Sequence, residues 1–310
     1  MQRDHPPKVS ALIITYNQER YIEQAVRSVL DQQTDFDFEI VIGEDCSTDG
    51  TRAICQRLAD EHPTKIRLIA REKNVGMVLN HRLTHFAARG QYIASLEGDD
   101  YWIDPRKLQK QADFLDAHPQ CVLCFHNVIV YDRESNDEWL YVPENWPQIT
   151  GLREILRESH INTSSLMMRG GVLDRVAERD ENPLMADWPF YIALAALGDF
   201  GYIDEVMACY RHHAGGTWMN VPIDRQIEIV RAMYDVADRT LGGAQHELIE
   251  SLKERFASIA AVEGARRTWK QRAIVAEKRI EELERGRRRA KLRQRADIHP
   301  RAGDPRPLSS

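Results

Sequence analysis

Val9-Ser-Ala-Leu-Ile-Ile-Thr-Tyr-Asn17 is followed at once by a change of period. From Val9 to Thr15 the run is short and apolar, bounded by Lys8 and by the Tyr16-Asn17 break, as a buried strand requires. Tyr21, Ile22, Ala25, Val26, Val29 and Leu30 then recur at helical spacing. Working outward, the exchange repeats: strand 38–43, helix 51–61, strand 66–70, helix 75–88, strand 92–96. Strands alternating with helices predict an α/β fold, a parallel sheet with crossover helices on both faces. Ligands of such sheets lie beyond the carboxyl ends of the strands. Those ends carry Thr15-Tyr16-Asn17, Glu44-Asp45, Arg71 with Asn74, and Glu97-Gly98-Asp99-Asp100. Ser47-Thr48-Asp49 reads as the cap of the second helix.

Beyond Trp102 the pattern loosens. Pro105 opens a helix that His118-Pro119 ends, and Cys121 to Tyr131 reads as a strand. A polar segment, 133–148, leads to an expected strand 164–168 and a helix 188–197, which precede the stretch 202–210. From Asp224 onward the sequence is helical in character, with Ile227, Ile229, Val230, Met233, Leu248 and Leu252 at three- and four-residue steps. The expected organisation is a catalytic domain over 1–220, a C-terminal helical extension over 221–295 and a disordered tail over 296–310.

The 310 residues, with 43% hydrophobic and 29% charged, exclude wholesale disorder, collagen and small disulfide scaffolds. No apolar run reaches the roughly 18–20 residues of a membrane span, and the start lacks an apolar signal core, so a soluble cytoplasmic protein is expected. Net charge is −6, but residues 264–295 hold 13 Lys/Arg against four Glu, leaving −15 for the rest. Two readings of that basic segment stand: a solvated helix, or docking to anionic lipid headgroups or a polyanionic acceptor, which would bring the protein to the inner face of the membrane. Nucleic acid is not expected, because no recognition motif or aromatic interleaving accompanies the charge. Five cysteines at irregular spacing argue for reduced thiols. Cys121 and Cys124 have the spacing of a redox or metal pair, but on a strand positions i and i+3 point to opposite faces.

Glu97-Gly98-Asp99-Asp100 is the segment richest in chemistry. Adjacent carboxylates after a buried strand are costly unless a cation or donors offset their repulsion. Their hard oxygens suit Mg²⁺ or Mn²⁺, which leave positions open for phosphate oxygens, so a nucleotide diphosphate is the natural partner. Gly98 would let the backbone approach that ligand. Arg71 and Asn74 suit nucleotide or phosphate contact, although a surface ion pair explains Arg71 equally. Trp102 and Trp218 are the foremost candidates for stacking on a sugar, ahead of Trp139, Trp146 and Trp188. A scaffold or a nucleotidyltransferase remains open on these residues alone, but Thr15-Tyr-Asn-Gln-Glu-Arg20 lacks the glycines of a nucleotidyltransferase phosphate loop.

Taken together, Val9–Asn17, Glu44-Asp-Cys-Ser-Thr-Asp-Gly-Thr51, Asn74-Val-Gly76, Gly90-Gln-Tyr-Ile93, Glu97-Gly-Asp-Asp100, Ala186-Asp-Trp188 and Tyr210-Arg-His-His213 resemble the family 2 glycosyltransferases in order and spacing. The resemblance covers roughly residues 8–215. It implies a three-layer α/β/α nucleotide-diphospho-sugar transferase fold with a mixed, mainly parallel sheet, and metal-dependent inverting transfer from a nucleotide-sugar donor to a glycan, lipid-linked or small-molecule acceptor. By the same resemblance Thr15 and Tyr16, with Asn17, lie beside the nucleotide base, the Tyr16 ring stacking on it. Glu44 and Asp45 form the acidic pair, Asp45 accepting from the imide of uracil or thymine. Asp99 and Asp100 hold Mn²⁺ or Mg²⁺; Glu97 stands where the family usually has Asp. Asp187 is the catalytic base, although Ala186 and Pro189 replace residues that are often acidic. His213 adds a metal or phosphate contact from a closing loop that includes Arg211 and Gly215–Trp218. The C-terminal helices offer an oligomer contact.

Overall fold

The computed structural model describes residues 5–132, 136–177, 187–212 and 221–259. The first hundred residues form β1 (Val9–Thr15), α1 (Ile22–Leu30), β2 (Phe38–Glu44), α2 (Thr51–Glu61), β3 (Ile66–Ala70), α3 (Met77–Ala87) and β4 (Tyr92–Glu97). Then come β5 (Tyr101–Trp102), α4 (Lys107–Ala117), β6 (Cys121–Asp132), β7 (Glu138–Leu140), β8 (Ile149–Thr150), α5 (Leu152–Arg157), β9 (Met167–Arg169), α6 (Val172–Ala177), α7 (Asp187–Ala195), β10 (Asp199–His212) and α8 (Ile223–Thr240). Residues 246–259 are helical as well.

The strands join in the order β3-β2-β1-β4-β9-β6-β10-β5, with β7 on β6 and β8 on β10. β1 to β4 pair in parallel, as do β6 and β10, whereas β9 runs antiparallel to both β4 and β6. The sheet is therefore mixed and mainly parallel over its long strands, as expected.

Strand period 2 divides the core. Ala11, Ile13, Ile40, Ile42, Ala94 and Leu96 join one apolar cluster, which also takes in buried residues of α1, α2 and α4. Leu12, Val41 and Ile93, the residues between them, face the other, with α5, α6, α7 and α8. Helices thus cover both faces, giving three layers. Residues 221–259 belong to this second core: Val230, Tyr234, Ala237, Ile249 and Leu252 are buried in it, and the Tyr234 hydroxyl donates to the Leu156 carbonyl at 2.8 Å.

Several boundaries differ from the sequence expectation for local reasons. The strand expected over 164–168 divides into a 3₁₀ turn, Thr163–Ser165, and β9, because the Asn162 side chain accepts the Ser164 N–H at 2.9 Å and holds the turn. α3 starts at Met77 rather than Val75, since Gly76 has φ +85° and cannot continue a right-handed helix. Asp49 serves the start of α2, its Oδ1 accepting the Thr51 N–H at 3.0 Å, while Gly50 occupies the N-cap position. All five cysteines are free thiols; Cys121 and Cys124 are buried.

Candidate active site

The carboxyl ends of β1, β2 and β4 lie side by side: Thr15 pairs with Glu44, and Ile14 with both Gly43 and Glu97. Parallel pairing brings three loops to one edge, and the polar residues there hold one another.

Asn17, at φ +55°, binds the loop after β2 from both sides: its N–H donates to Ser47 Oγ at 3.0 Å, and its Oδ1 accepts the Thr48 N–H at 2.8 Å. Gln18 N–H donates to Thr51 Oγ1, Glu19 N–H to Asp49 Oδ2, and Glu19 Oε2 accepts the Gly50 N–H. Thr15 is buried and donates to Gln18 Oε1 at 2.8 Å. Tyr16 is 45% exposed, which leaves its ring open to a ligand.

Glu44 and Asp45 are both buried and fully engaged within the chain. Glu44 accepts the Ser47 N–H at 2.6 Å and pairs with Arg52 Nε at 2.5 Å. Asp45 accepts the Val75 N–H at 2.8 Å through one oxygen and the Gly76 N–H at 2.9 Å through the other. Its described role is thus to clamp the entry of α3. Asn74 Oδ1 also accepts the Gly76 N–H, at 3.1 Å. Arg71 turns onto α3, its guanidinium donating to Asn80 Oδ1 at 3.1 Å and Thr84 Oγ1 at 3.2 Å, side chains that pack against Gly43 near the end of β2.

The acidic turn after β4 is held from the far side of the sheet. Asp100 is 1% exposed, and its Oδ1 accepts the Arg211 N–H at 2.9 Å. The Arg211 guanidinium donates to the Asp99 carbonyl and to Gln24 Oε1, and lies 4.4 Å from the Tyr101 ring centroid and 5.1 Å from that of Tyr21. Asp100 Oδ2 is buried with no hydrogen-bond partner among the described residues. Burial, and then the charge of Asp99, push the Asp100 carboxyl well above the usual carboxylate range. A buried oxygen in that condition, next to a second carboxylate, suits a hard divalent cation, which would restore the ionised form. Gly98 packs tightly beneath: a Cβ there would meet Thr15 Oγ1 at 2.8 Å and overlap Gln18 Oε1, so the glycine is required by the chain's own strand ends.

Among the described residues no group of three His, Cys, Asp or Glu is arranged to hold a metal. His213 and the stretch 215–218 lie outside the described residues, as does the side chain of Asp187; the backbone of Asp187 opens α7, the helix start expected for it. His212, one residue before, pairs through Nδ1 with Asp132 Oδ2 at 2.8 Å. Trp102 is buried, with its indole N–H on the Ser164 carbonyl at 2.9 Å and Lys107 Nζ 4.0 Å from the ring centroid, so it has no face for a sugar. Trp139 is exposed beside the His212 ring, 6.2 Å between centroids.

Two residues organise the site in ways the sequence does not show: Arg52, which it leaves without a role, and Arg211, which it places only in a closing loop. Arg52 lies in the first turn of α2, where the helix dipole disfavours a cation, and that misplacement is a signal of a specific carboxylate partner. Arg211, read only as part of a loop, is the link between the acidic turn and β10. Nothing in the local pattern signals a contact spanning 111 positions.

The chain is similar in sequence to known proteins and in fold to solved structures. Rv1520 of Mycobacterium tuberculosis is 36% identical over 221 residues, 70% of this chain; the chain spans 62% of that relative's length. The putative teichuronic acid biosynthesis glycosyltransferase TuaG of Bacillus subtilis is 35% identical over 141 residues, 45% of this chain and 54% of its own. Among solved structures, TarS 1–349 of S. aureus in complex with UDP-GlcNAc has a TM-score of 0.55 at 20% identity, covering 74% of this chain and 66% of that one. The mannosyltransferase PcManGT of Pyrobaculum calidifontis, in complex with GDP-Man and Mn²⁺, also gives 0.55, at 17% identity over 84% and 76%. These structures share the fold. Residues 10–176, more than half of the chain, match Glycosyl transferase family 2, and the chain belongs to that family.

Proposed function

We propose that the protein transfers a sugar, with inversion, from a nucleotide-diphosphate sugar, UDP- or dTDP-linked, to an acceptor hydroxyl in glycan or polysaccharide assembly. The observation that carries this reading is the acidic turn: Asp100 Oδ2, buried and unpartnered among the described residues beside Asp99, at the edge where three strand ends and the exposed Tyr16 ring meet. The relation to TuaG, a putative teichuronic acid biosynthesis glycosyltransferase, and the nucleotide sugars bound by TarS and PcManGT support the donor and product classes.

Asp99 and Asp100 would hold Mn²⁺ or Mg²⁺, and the ion would supply positive charge to a departing diphosphate. Arg211 holds one oxygen of the Asp100 carboxylate and the Asp99 backbone carbonyl, so the acidic turn is ordered by the chain's own contacts. Tyr16 offers a flat face to the base. The clamped loops fix the floor beneath it, with Asp45 acting through Val75 and Gly76. Asp187, opening α7, is proposed as the base that takes the proton of the acceptor hydroxyl.

Thermal unfolding with UDP, with and without Mn²⁺, followed by a donor screen by mass spectrometry, tests the reading. Metal-dependent protection by UDP or dTDP is expected, and Asp99→Ala should abolish it. Protection unchanged in Asp99→Ala would refute the donor site. Asp187→Asn should lower kcat by about 10²–10⁴-fold while UDP protection persists; wild-type transfer by that variant would require another base.

A further inference from the structure

α3 turns the usual amphipathic arrangement inside out. Its buried residues are Asn80, Thr84 and His85, and the His81 ring faces Ser95 Oγ at 3.5 Å. Leu79, Leu83 and Phe86, at i, i+4 and i+7, form one stripe on the other side, 41%, 38% and 48% exposed, and Met77 at the helix start is 59% exposed. Four of the ten exposed large hydrophobic residues in the described chain thus sit on a single helix. Soluble surfaces rarely gather apolar residues in this way without a partner.

The charge around the stripe narrows the partner. Residues 62–90 carry six Lys/Arg against a single acidic residue, Glu72, in a chain whose net charge is −6. Glu39 of β2 pairs with Arg89 at 2.6 Å and lies 3.9 Å from Arg67, and Arg71 is taken up by Asn80 and Thr84 on the buried side of α3. The corner's remaining positive charge thus rests on Lys65, Lys73 and Arg82 with the excess of Arg67 and Arg89 over Glu39. Arg82 lies within the stripe itself, its guanidinium 5.7 Å from the Phe86 ring centroid. Exposed aromatic and aliphatic side chains flanked by Lys and Arg have the apolar-plus-basic composition of interfacial membrane contacts, and among the described residues β3 is the outermost strand at this end of the sheet, with no further strand covering the corner.

We propose that the outward face of α3 docks on an anionic lipid surface, with Leu79, Leu83 and Phe86 entering the headgroup region and the basic corner meeting lipid phosphates. Because Asp45 clamps the entry of α3, docking would hold the rim of the candidate site at the membrane, where a lipid-carried acceptor is presented. The docking stands independently of the transfer reading; only the acceptor consequence rests on it.

The test is co-sedimentation of the full chain with phosphatidylcholine vesicles containing phosphatidylglycerol, and with phosphatidylcholine alone. Binding to the anionic vesicles only is expected, weakened by salt and reduced about tenfold or more in the L79S/L83S/F86S variant. Retained UDP protection and an unchanged melting profile would show that variant to be folded. No vesicle binding by the wild type overturns the proposal. So does binding that survives the triple substitution, which would point to residues 264–295, or a dimer in sedimentation velocity that the substitution dissolves in place of any vesicle binding. Vesicle binding in a protein that UDP never protects would uphold the docking and sink the transfer reading instead.

Discussion

α1 and α3 are both helices of about three turns that follow a parallel strand, yet they face the sheet in opposite senses. α1 buries Ile22, Ala25, Val26 and Val29 and leaves Glu23 and Arg27 outside as an ion pair, Arg27 Nη2 and Nε both donating to Glu23 Oε1 at 2.7 and 2.9 Å. α3 buries Asn80, Thr84 and His85 and leaves its leucines and phenylalanine outside. The difference lies in what each meets. α1 packs into the apolar cluster shared by β1, β2 and β4. α3 meets Gly43 of β2, where a Cβ would overlap Thr84 Oγ1, and the bare carbonyl there accepts from Asn80 Nδ2 at 2.8 Å. A close backbone approach through a glycine favours short polar side chains that satisfy exposed peptide groups, and such contacts replace apolar packing.

If that contrast is right, truncation in α1 has the largest consequence. Ile22→Ala should cost about 2–5 kcal/mol in urea unfolding, the range for a fully buried branched side chain; a loss below about 1 kcal/mol would mean that α1 is no more essential to the core than α3. Next in size is the polar interior of α3. Asn80→Ala removes the donor to Gly43 and an acceptor of Arg71, and about 1–3 kcal/mol is expected from the groups left unpaired. Denaturant midpoints with an unchanged m-value would check it.

A pH series sharpens the same comparison. Burial holds His85 down at about 3 and His81 at about 4, so both are neutral when folded. A base whose folded value lies below its unfolded value stabilises fully above about 6.5, and that stability is lost as pH falls, by roughly 1.4 kcal/mol per unit per histidine. His85→Gln should therefore flatten the fall in stability between about pH 6 and 5 by about 1 kcal/mol. Glu39, Asp49 and Asp116 have carboxyls lowered from values that already lie below this window. An unaltered slope in the variant would place the histidine in contact with water. The smallest effect belongs to the outward stripe: Leu83→Ala should change stability by no more than about 0.5 kcal/mol, as for an ordinary surface position. A loss of 2 kcal/mol or more would show that the stripe is already covered in the folded chain.

The alternation of periods was sufficient to read the layers of the fold, because β1, β2 and β4 bury both faces and contrast sharply with the helices between them. The period also identified α3 as a helix. It did not reveal which side faces inward, since that depends on Gly43 of β2 and on Arg71 in the loop after β3. β9 was harder still. Three residues, Met167–Arg169, pair antiparallel between two strands distant in sequence, and no local pattern encodes that insertion. At the site, the acidic residues were legible as strand-end polar groups, but their hydrogen bonds were not. For Asp45 the resemblance implies contact with a base; in the structure each of its oxygens also accepts one backbone N–H of the next loop, a partner no local pattern announces. A sequence shows that a carboxylate is present; the claimants on its lone pairs come from the topology.

The stitching of the β1–α1 loop to the β2–α2 loop has a consequence for redesign. Asn17, Gln18 and Glu19 are bonded to Ser47, Thr48, Asp49, Gly50 and Thr51, so the two loops share one set of hydrogen bonds. A chimera that exchanges either loop alone with a relative would sever partners on both sides and leave amides unpaired. The unit that can be exchanged with its hydrogen bonds intact is the pair, 16–20 together with 45–51.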